Sequence, residues 1–115
     1  MKILQEQKVG YDILHKYAGW RVAFITYSDR FDKCEKNLLE RHLFTDEVFI
    51  LLNGKADLYA GEKGERTAMK KGKAYLIEKG EWHSVTLSKN AKVVVIENVE
   101  TGKENSEYLL IGEQK

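Results

Sequence analysis

Val48-Phe49-Ile50-Leu51-Leu52-Asn53-Gly54-Lys55-Ala56-Asp57-Leu58-Tyr59-Ala60 is the stretch whose reading decides the fold class. Two runs rich in branched and aromatic residues flank Asn53-Gly54, the strongest short-range signal for a β-hairpin. We expect a hairpin here, with one strand on either side of the turn.

Working outward, glycine and asparagine supply the punctuation, because the 115-residue chain has no proline. Further turns are expected at Gly61-Glu62-Lys63-Gly64, Lys71-Gly72, Lys79-Gly80, Ser88-Lys89-Asn90 and Thr101-Gly102. Between them the pattern predicts strands over residues 20–27, 38–42, 47–52, 55–60, 74–77, 82–87, 92–97 and 108–110. Short strands at this spacing indicate an all-β antiparallel sandwich or barrel. In residues 20–27, Trp20, Val22 and Phe24 form one apolar face, as a half-buried strand requires. The first 17 residues, with Ile3, Leu4, Val9, Ile13, Leu14 and Tyr17, fit an edge strand plus a short helix.

The length suits one compact domain, residues 1–115, and is too small for a second core. With 43% hydrophobic and 32% charged residues the balance is that of a soluble globular protein. No apolar run approaches the roughly 20 residues that span a bilayer, so no membrane partner is expected. Charges in the first eight residues argue against a signal peptide. A single cysteine, Cys34, has no internal disulfide partner and fits a reducing cytoplasm, as a packed or partly exposed thiol. Nineteen Lys and Arg against 18 Asp and Glu, spread along the chain, give no basic stripe for nucleic acid. Lys70-Lys71-Gly72-Lys73, the densest cluster, reads as a solvated turn.

The chemistry concentrates on His42, Glu47 and His83. Period-two geometry puts Glu40 and His42 on one face of their strand, Phe44-Thr45-Asp46 can turn the chain to present Glu47, and a closed barrel would bring in His83. Two imidazoles and a carboxylate converging in this way can hold a divalent metal ion. The alternative is a pair of ordinary pocket or surface histidines. His15 reads as structural or solvent-exposed. Trp20, Phe24, Phe49, Tyr59, Tyr75 and Trp82 can line a cavity but more often form core or dimer interface. Trp82 points away from the face of His83 and reads as packing.

The glycines around these residues extend the pattern. Glu47 is followed after six residues by Gly54, and Gly72, Gly80 and His83 are spaced by seven and two residues. At this point the chain resembles the cupin superfamily, whose two motifs are G-x5-H-x-H-x3-4-E-x6-G and G-x5-P-x-G-x2-H-x3-N. His42, Glu47 and Gly54 fall on the first motif, with Cys34 in place of its opening glycine and Glu40 in place of its first histidine. Gly72, Gly80 and His83 fall on the second, with Glu78 replacing the proline and Leu87 the asparagine. Six of ten positions agree, between Cys34 and Leu87.

The resemblance implies a double-stranded β-helix, a jelly-roll-like barrel that is often dimeric and carries a metal near its centre. For this chain it implies His42, Glu47 and His83 as ligands, with Glu40 as a fourth ligand or a general base. That donor set would suit Mn, Fe, Ni or Zn. Two functions follow as expectations: a metal-dependent isomerase, lyase or oxygenase acting on a polar small molecule, or a non-catalytic small-molecule binding module with an eroded metal site. A homodimer pairing through sheet edges is expected in either case.

Overall fold

The computed structural model describes residues 1–32, 38–101 and 106–110. Cys34, and the Gly102 end of the turn expected at Thr101-Gly102, lie outside the described residues.

The described chain is built from strands β1 Tyr11–Tyr17, β2 Trp20–Thr26, β3 Leu38–His42, β4 Glu47–Asn53, β5 Ala56–Ala60, β6 Glu65–Ala68, β7 Ala74–Ile77, β8 His83–Leu87, β9 Lys92–Asn98 and β10 Ser106–Leu110. A short 3-10 turn spans Asp29–Phe31. Among the described residues no helix is long and apolar enough to cross a membrane. The strands form two five-stranded antiparallel sheets, ordered β1-β2-β9-β4-β7 and β10-β3-β8-β5-β6. Among the described residues no ladder joins the sheets, so the jelly roll closes through side chains rather than through a continuous ring of hydrogen bonds. Phe49, Leu51, Val93 and Val95 from one sheet meet Ala56, Leu58 and Leu87 from the other, and Phe31 and Met69 complete this core.

Three expectations are corrected. The hairpin expected at Asn53-Gly54 does not form a ladder: β4 pairs with β7 and β9, while β5 pairs with β6 and β8. A two-residue turn of the favoured hairpin type needs positive φ at both central positions. Only Gly54 has it (φ 72°), and the chain uses this turn to pass from one sheet to the other. Second, the short helix expected within the first 17 residues is absent. Residues 11–17 form β1, and Asp12, Phe24 and their neighbours set its register on β2.

Third, the face of Trp20, Val22 and Phe24 is the outer one. Ala23 and Ile25 are the core positions of β2, and Arg21 shares their side. Bulk misleads here, because Ala23 is small and Arg21 is charged. One strand carried no usable pattern: in β6, Glu65 to Ala68 are all exposed. The strand expected over residues 108–110 is the end of β10, where only Ser106 and Leu109 are even partly covered.

Candidate metal centre

His42 is the last residue of β3 and His83 the first of β8. These two strands share a single register pair, Glu40 opposite His83. Period two then puts Glu40 and His42 on the inner side together. Glu47 opens β4 on the facing sheet. The three strands expected to supply the site therefore do meet. One donor atom each from Glu40, His42 and His83 lies within 4.8 Å of the others. Glu47 reaches both imidazoles: its Oε2 is 3.3 Å from His42 Nε2, and its Oε1 is 2.9 Å from His83 Nε2. His42, His83 and Glu47 are all buried.

The outer nitrogen of each imidazole is already engaged. His83 Nδ1 donates to the carbonyl of Glu81 at 3.1 Å, and His42 Nδ1 is 2.7 Å from Ser106 Oγ, with Ser106 directly opposite His42 in the β3–β10 ladder. Such contacts fix ring orientation and turn Nε2 inward. His83 Nε2 then meets Glu47 Oε1, yet that oxygen accepts no aligned hydrogen bond although it is fully buried. A bare imidazole nitrogen and a carboxylate oxygen are both acceptors, so the space between them calls for positive charge. A proton or a divalent cation answers it.

The electrostatics agree. Burial alone would lower the His83 pKa, but the adjoining Glu47 carboxylate outweighs it and holds it above the ordinary histidine value. Burial would raise Glu47, yet the close imidazoles of His42 and His83 prevail and hold it well below the usual carboxylate range. Both shifts describe a pocket organised around positive charge.

A second layer escaped the sequence reading. Glu97 lies directly opposite Glu47 in the β4–β9 ladder. Burial and then the neighbouring Glu47 push its carboxyl up to about 7, against the opposing influence of Tyr11 and Arg21. The Tyr11 hydroxyl donates to Glu97 Oε2, and Arg21 Nε reaches the same oxygen at 2.8 Å. Arg21 also donates to the carbonyls of Val99 and Thr101, which fastens the end of β9. A signal existed: Val93, Val95 and Glu97 share one face, so an acid stands in register with two core valines. Arg21 stands likewise with Ala23 and Ile25.

These groups open onto a cavity of about 830 Å³ between the sheets. Its wall is mixed, with Phe49 and Val95 on the apolar side and Arg30, Glu40 and Tyr108 among the polar residues. Arg30 is 3.5 Å from Glu40 Oε1, and Tyr108 lies opposite Glu40 in the β3–β10 ladder. Of the aromatic residues singled out in the sequence, Phe49 lines this cavity, with its ring 6.1 Å from that of His83. Tyr59 is buried with its hydroxyl near Thr86, and Trp82 lies under the guanidinium of Arg41. His15 is exposed beside Trp20.

No protein-family profile and no curated protein matches the chain. Solved structures do. A cupin-2 domain protein from Shewanella frigidimarina superposes with a TM-score of 0.61 at 18% identity, over 82% of this chain and 84% of that one. The chain has the cupin fold. Streptomyces PAC13 with uridine aligns with a TM-score of 0.67 at 5% identity, over 94% of this chain and 85% of that one. FeII HppE aligns at 0.57 and 14%, over 76% of this chain and 48% of that one.

Within the cupin fold, the motif glycines have visible work. Gly54 and Gly80 both adopt positive φ, at 72° and 81°. Gly54 carries the crossing between sheets, and Gly80 begins the approach to His83. The substituted positions are absorbed locally. Leu87, where the motif has asparagine, is a buried core residue, and Glu78, where it has proline, lies in a turn whose amide meets Glu81 Oε1.

Proposed function

We propose that this protein binds a divalent metal ion at His42, His83, Glu47 and Glu40 and acts on a polar small molecule admitted to the adjoining cavity. The carrying observation is the buried, unaligned Glu47 Oε1 facing His83 Nε2, an imidazole that itself lies in a donor group with Glu40 and His42. The donor chemistry fits Mn, Fe, Ni or Zn. The iron named with HppE, which shares the fold, supports the metal, and the nucleoside dehydratase Pac13, also of this fold, supports a polar small molecule as substrate.

A bound cation would polarise a substrate oxygen. The remaining work falls to side chains. Ser106 and the Glu81 carbonyl hold the imidazoles in place. Glu40, whose side chain is 22% exposed at the cavity wall, is positioned to accept a proton from the substrate or to complete the ligand set. Arg30 and Tyr108, beside it, offer donors to substrate oxygens. Phe49 and Val95 exclude water from the opposite side. An isomerase, lyase or oxygenase reaction matches this set of roles.

Metal analysis of protein purified without chelators tests the proposal. One ion per chain is expected, lost in His42→Ala and in His83→Ala while the far-UV circular dichroism of the folded chain persists. Protein that carries no ion, and takes up none of Mn, Fe, Ni or Zn on dialysis, removes the reading. A second reading rests on the same contacts: a proton on His83 satisfies Glu47 as well as a cation does. The protein is then a non-catalytic binding module, and metabolites raise its melting temperature without any product forming.

A further inference from the structure

All four arginines of the chain lie among the described residues, and three of them have their donors taken. Arg21 gives Nε to Glu97 and its two outer nitrogens to the carbonyls of Val99 and Thr101. Arg41 grips Glu107 through two nitrogens, and Arg66 holds Asp57 at 3.0 Å. Arg30 is the exception. Its guanidinium lines the cavity beside the candidate metal centre and donates no hydrogen bond among the described residues. Glu40 Oε1 stands 3.5 Å from it, beyond the roughly 3.2 Å reach of a well-formed N–H···O bond. The fork is nonetheless held ready. Its Cζ lies 5.0 Å from the centre of the Phe31 ring, and Phe31 is itself part of the buried core. A guanidinium resting on an aromatic face keeps its in-plane donors free for a ligand.

We propose that the molecule admitted to this cavity is a small carboxylate anion, gripped by Arg30, with a further oxygen of the same molecule left for the metal. The last clause rests on the function proposed above, and the anion site does not. A planar fork of donors matches the two oxygens of a carboxylate, and a neutral molecule would leave its charge unanswered. The balance of charge selects a monoanion over a phosphate. Among the described residues no lysine lines the cavity, and Arg21 is committed to Glu97. One guanidinium, with the Glu40 carboxylate beside it, therefore faces the ligand. A phosphate dianion would meet Glu40 with too little positive charge to offset the repulsion. Glu40 also marks where the ligand sits. A carboxylate already stands next to Arg30 but is tethered to β3, whereas a free one can close to hydrogen-bond range. From there the rest of the molecule reaches the donor atoms of His42 and His83, which lie within 4.8 Å of that of Glu40. The Tyr108 hydroxyl on the same wall supplies one more donor, and Phe31, Phe49 and Val95 suit the carbon chain.

A nuclear magnetic resonance titration of the chelator-treated full chain tests the anion site, so that its outcome is separate from that of the metal reading. The backbone amides of Phe31 and Tyr108 report binding, and lactate and lactamide are the probes, alike in shape and different in charge. Lactate should move these signals saturably in the millimolar range, and lactamide should bind about tenfold more weakly or worse. Arg30→Gln should abolish the lactate response, while Arg30→Lys, which keeps the charge but not the fork, should retain part of it. Both changes are at a side chain 64% exposed, so the circular dichroism should not alter, and both variants should take up metal as the wild type does. Glu40→Gln should tighten lactate several-fold, because the competing charge is gone. Lactate without a saturable response, lactamide that binds as well as lactate, or Arg30→Gln that binds lactate like the wild type overturns the proposal. Inorganic phosphate that binds more tightly than lactate overturns the choice of a carboxylate.

Discussion

The amide of Gly80 donates to the carbonyl of His42 across 2.7 Å, joining the end of β3 to the turn that delivers His83. Because β3 and β8 share only the Glu40–His83 pair, this bond and that of the Lys79 amide to Asp46 Oδ1 fix the spacing of the two imidazoles. Gly80 makes its bond from φ 81°, where an L side chain is strained, although no atom would obstruct an added Cβ. Gly80→Ala should therefore cost about 1 kcal/mol of stability in urea titration. If the turn shifts to relieve that strain, metal affinity should fall by about fivefold, in keeping with the same free energy. Competition with a chelator measures it.

Glu47 sets the proton affinity of His83. Removing its charge in Glu47→Gln leaves burial as the prevailing influence, and burial lowers a histidine pKa. In chelator-treated protein, the His83 imidazole of the wild type should titrate above the ordinary 6.5, and that of Glu47→Gln below it. Imidazole nitrogen chemical shifts followed against pH distinguish the two. An unchanged midpoint would show that Glu47 and His83 do not interact.

Glu97 gives the metal-free protein an unusual dependence of stability on pH. Its carboxyl ionises near 4.5 when unfolded and about 7 when folded. Below 4.5 both states hold the proton and no difference arises. Between these values the folded state binds more protons than the unfolded one, so stability falls as pH rises, by at most ~3 kcal/mol through this group. Glu47 has the opposite sign, but its contribution is lost only as pH drops below the ordinary carboxylate range. Glu97→Gln, which keeps an oxygen for Tyr11 and Arg21, should flatten the decline between pH 5 and 7 in chemical denaturation. A wild-type profile already flat in that interval would contradict the assignment.

How much of this was legible in the sequence depended on which physical signal each residue carried. His42, Glu47 and His83 could be grouped because period two, a turn and two glycine spacings each constrain one of them, and the structure brings them into contact. Glu97 and Arg21 went unnoticed because a charged residue in a core register reads as a break in the pattern unless its partner is known. The inverted reading of β2 has a related cause. Its outer side, with Trp20, Val22 and Phe24, is the more apolar one, so a rule that turns the apolar side inward picks the wrong face of this strand. In β6 no face is buried at all, and periodicity had nothing to report.

Asn53-Gly54 teaches the sharper lesson, because the right fold class was reached through a hairpin that the chain does not make. Gly54 is needed for two reasons at once. Its φ of 72° disfavours any side chain, and an added Cβ would stand 2.6 Å from Ala91 Cα and 2.8 Å from Ala91 N. Those are backbone atoms of the segment entering β9, and they cannot swing aside as a side chain would. Gly54→Ala should therefore exceed the loss at Gly80, where only the conformational cost applies, and reach about 2–4 kcal/mol once overpacking is added. Parallel urea titrations of the two variants make the comparison. Equal losses would mean that the crossing between the sheets does not press on Ala91, and the packing of the β4–β5 connection against β9 would have to be redrawn.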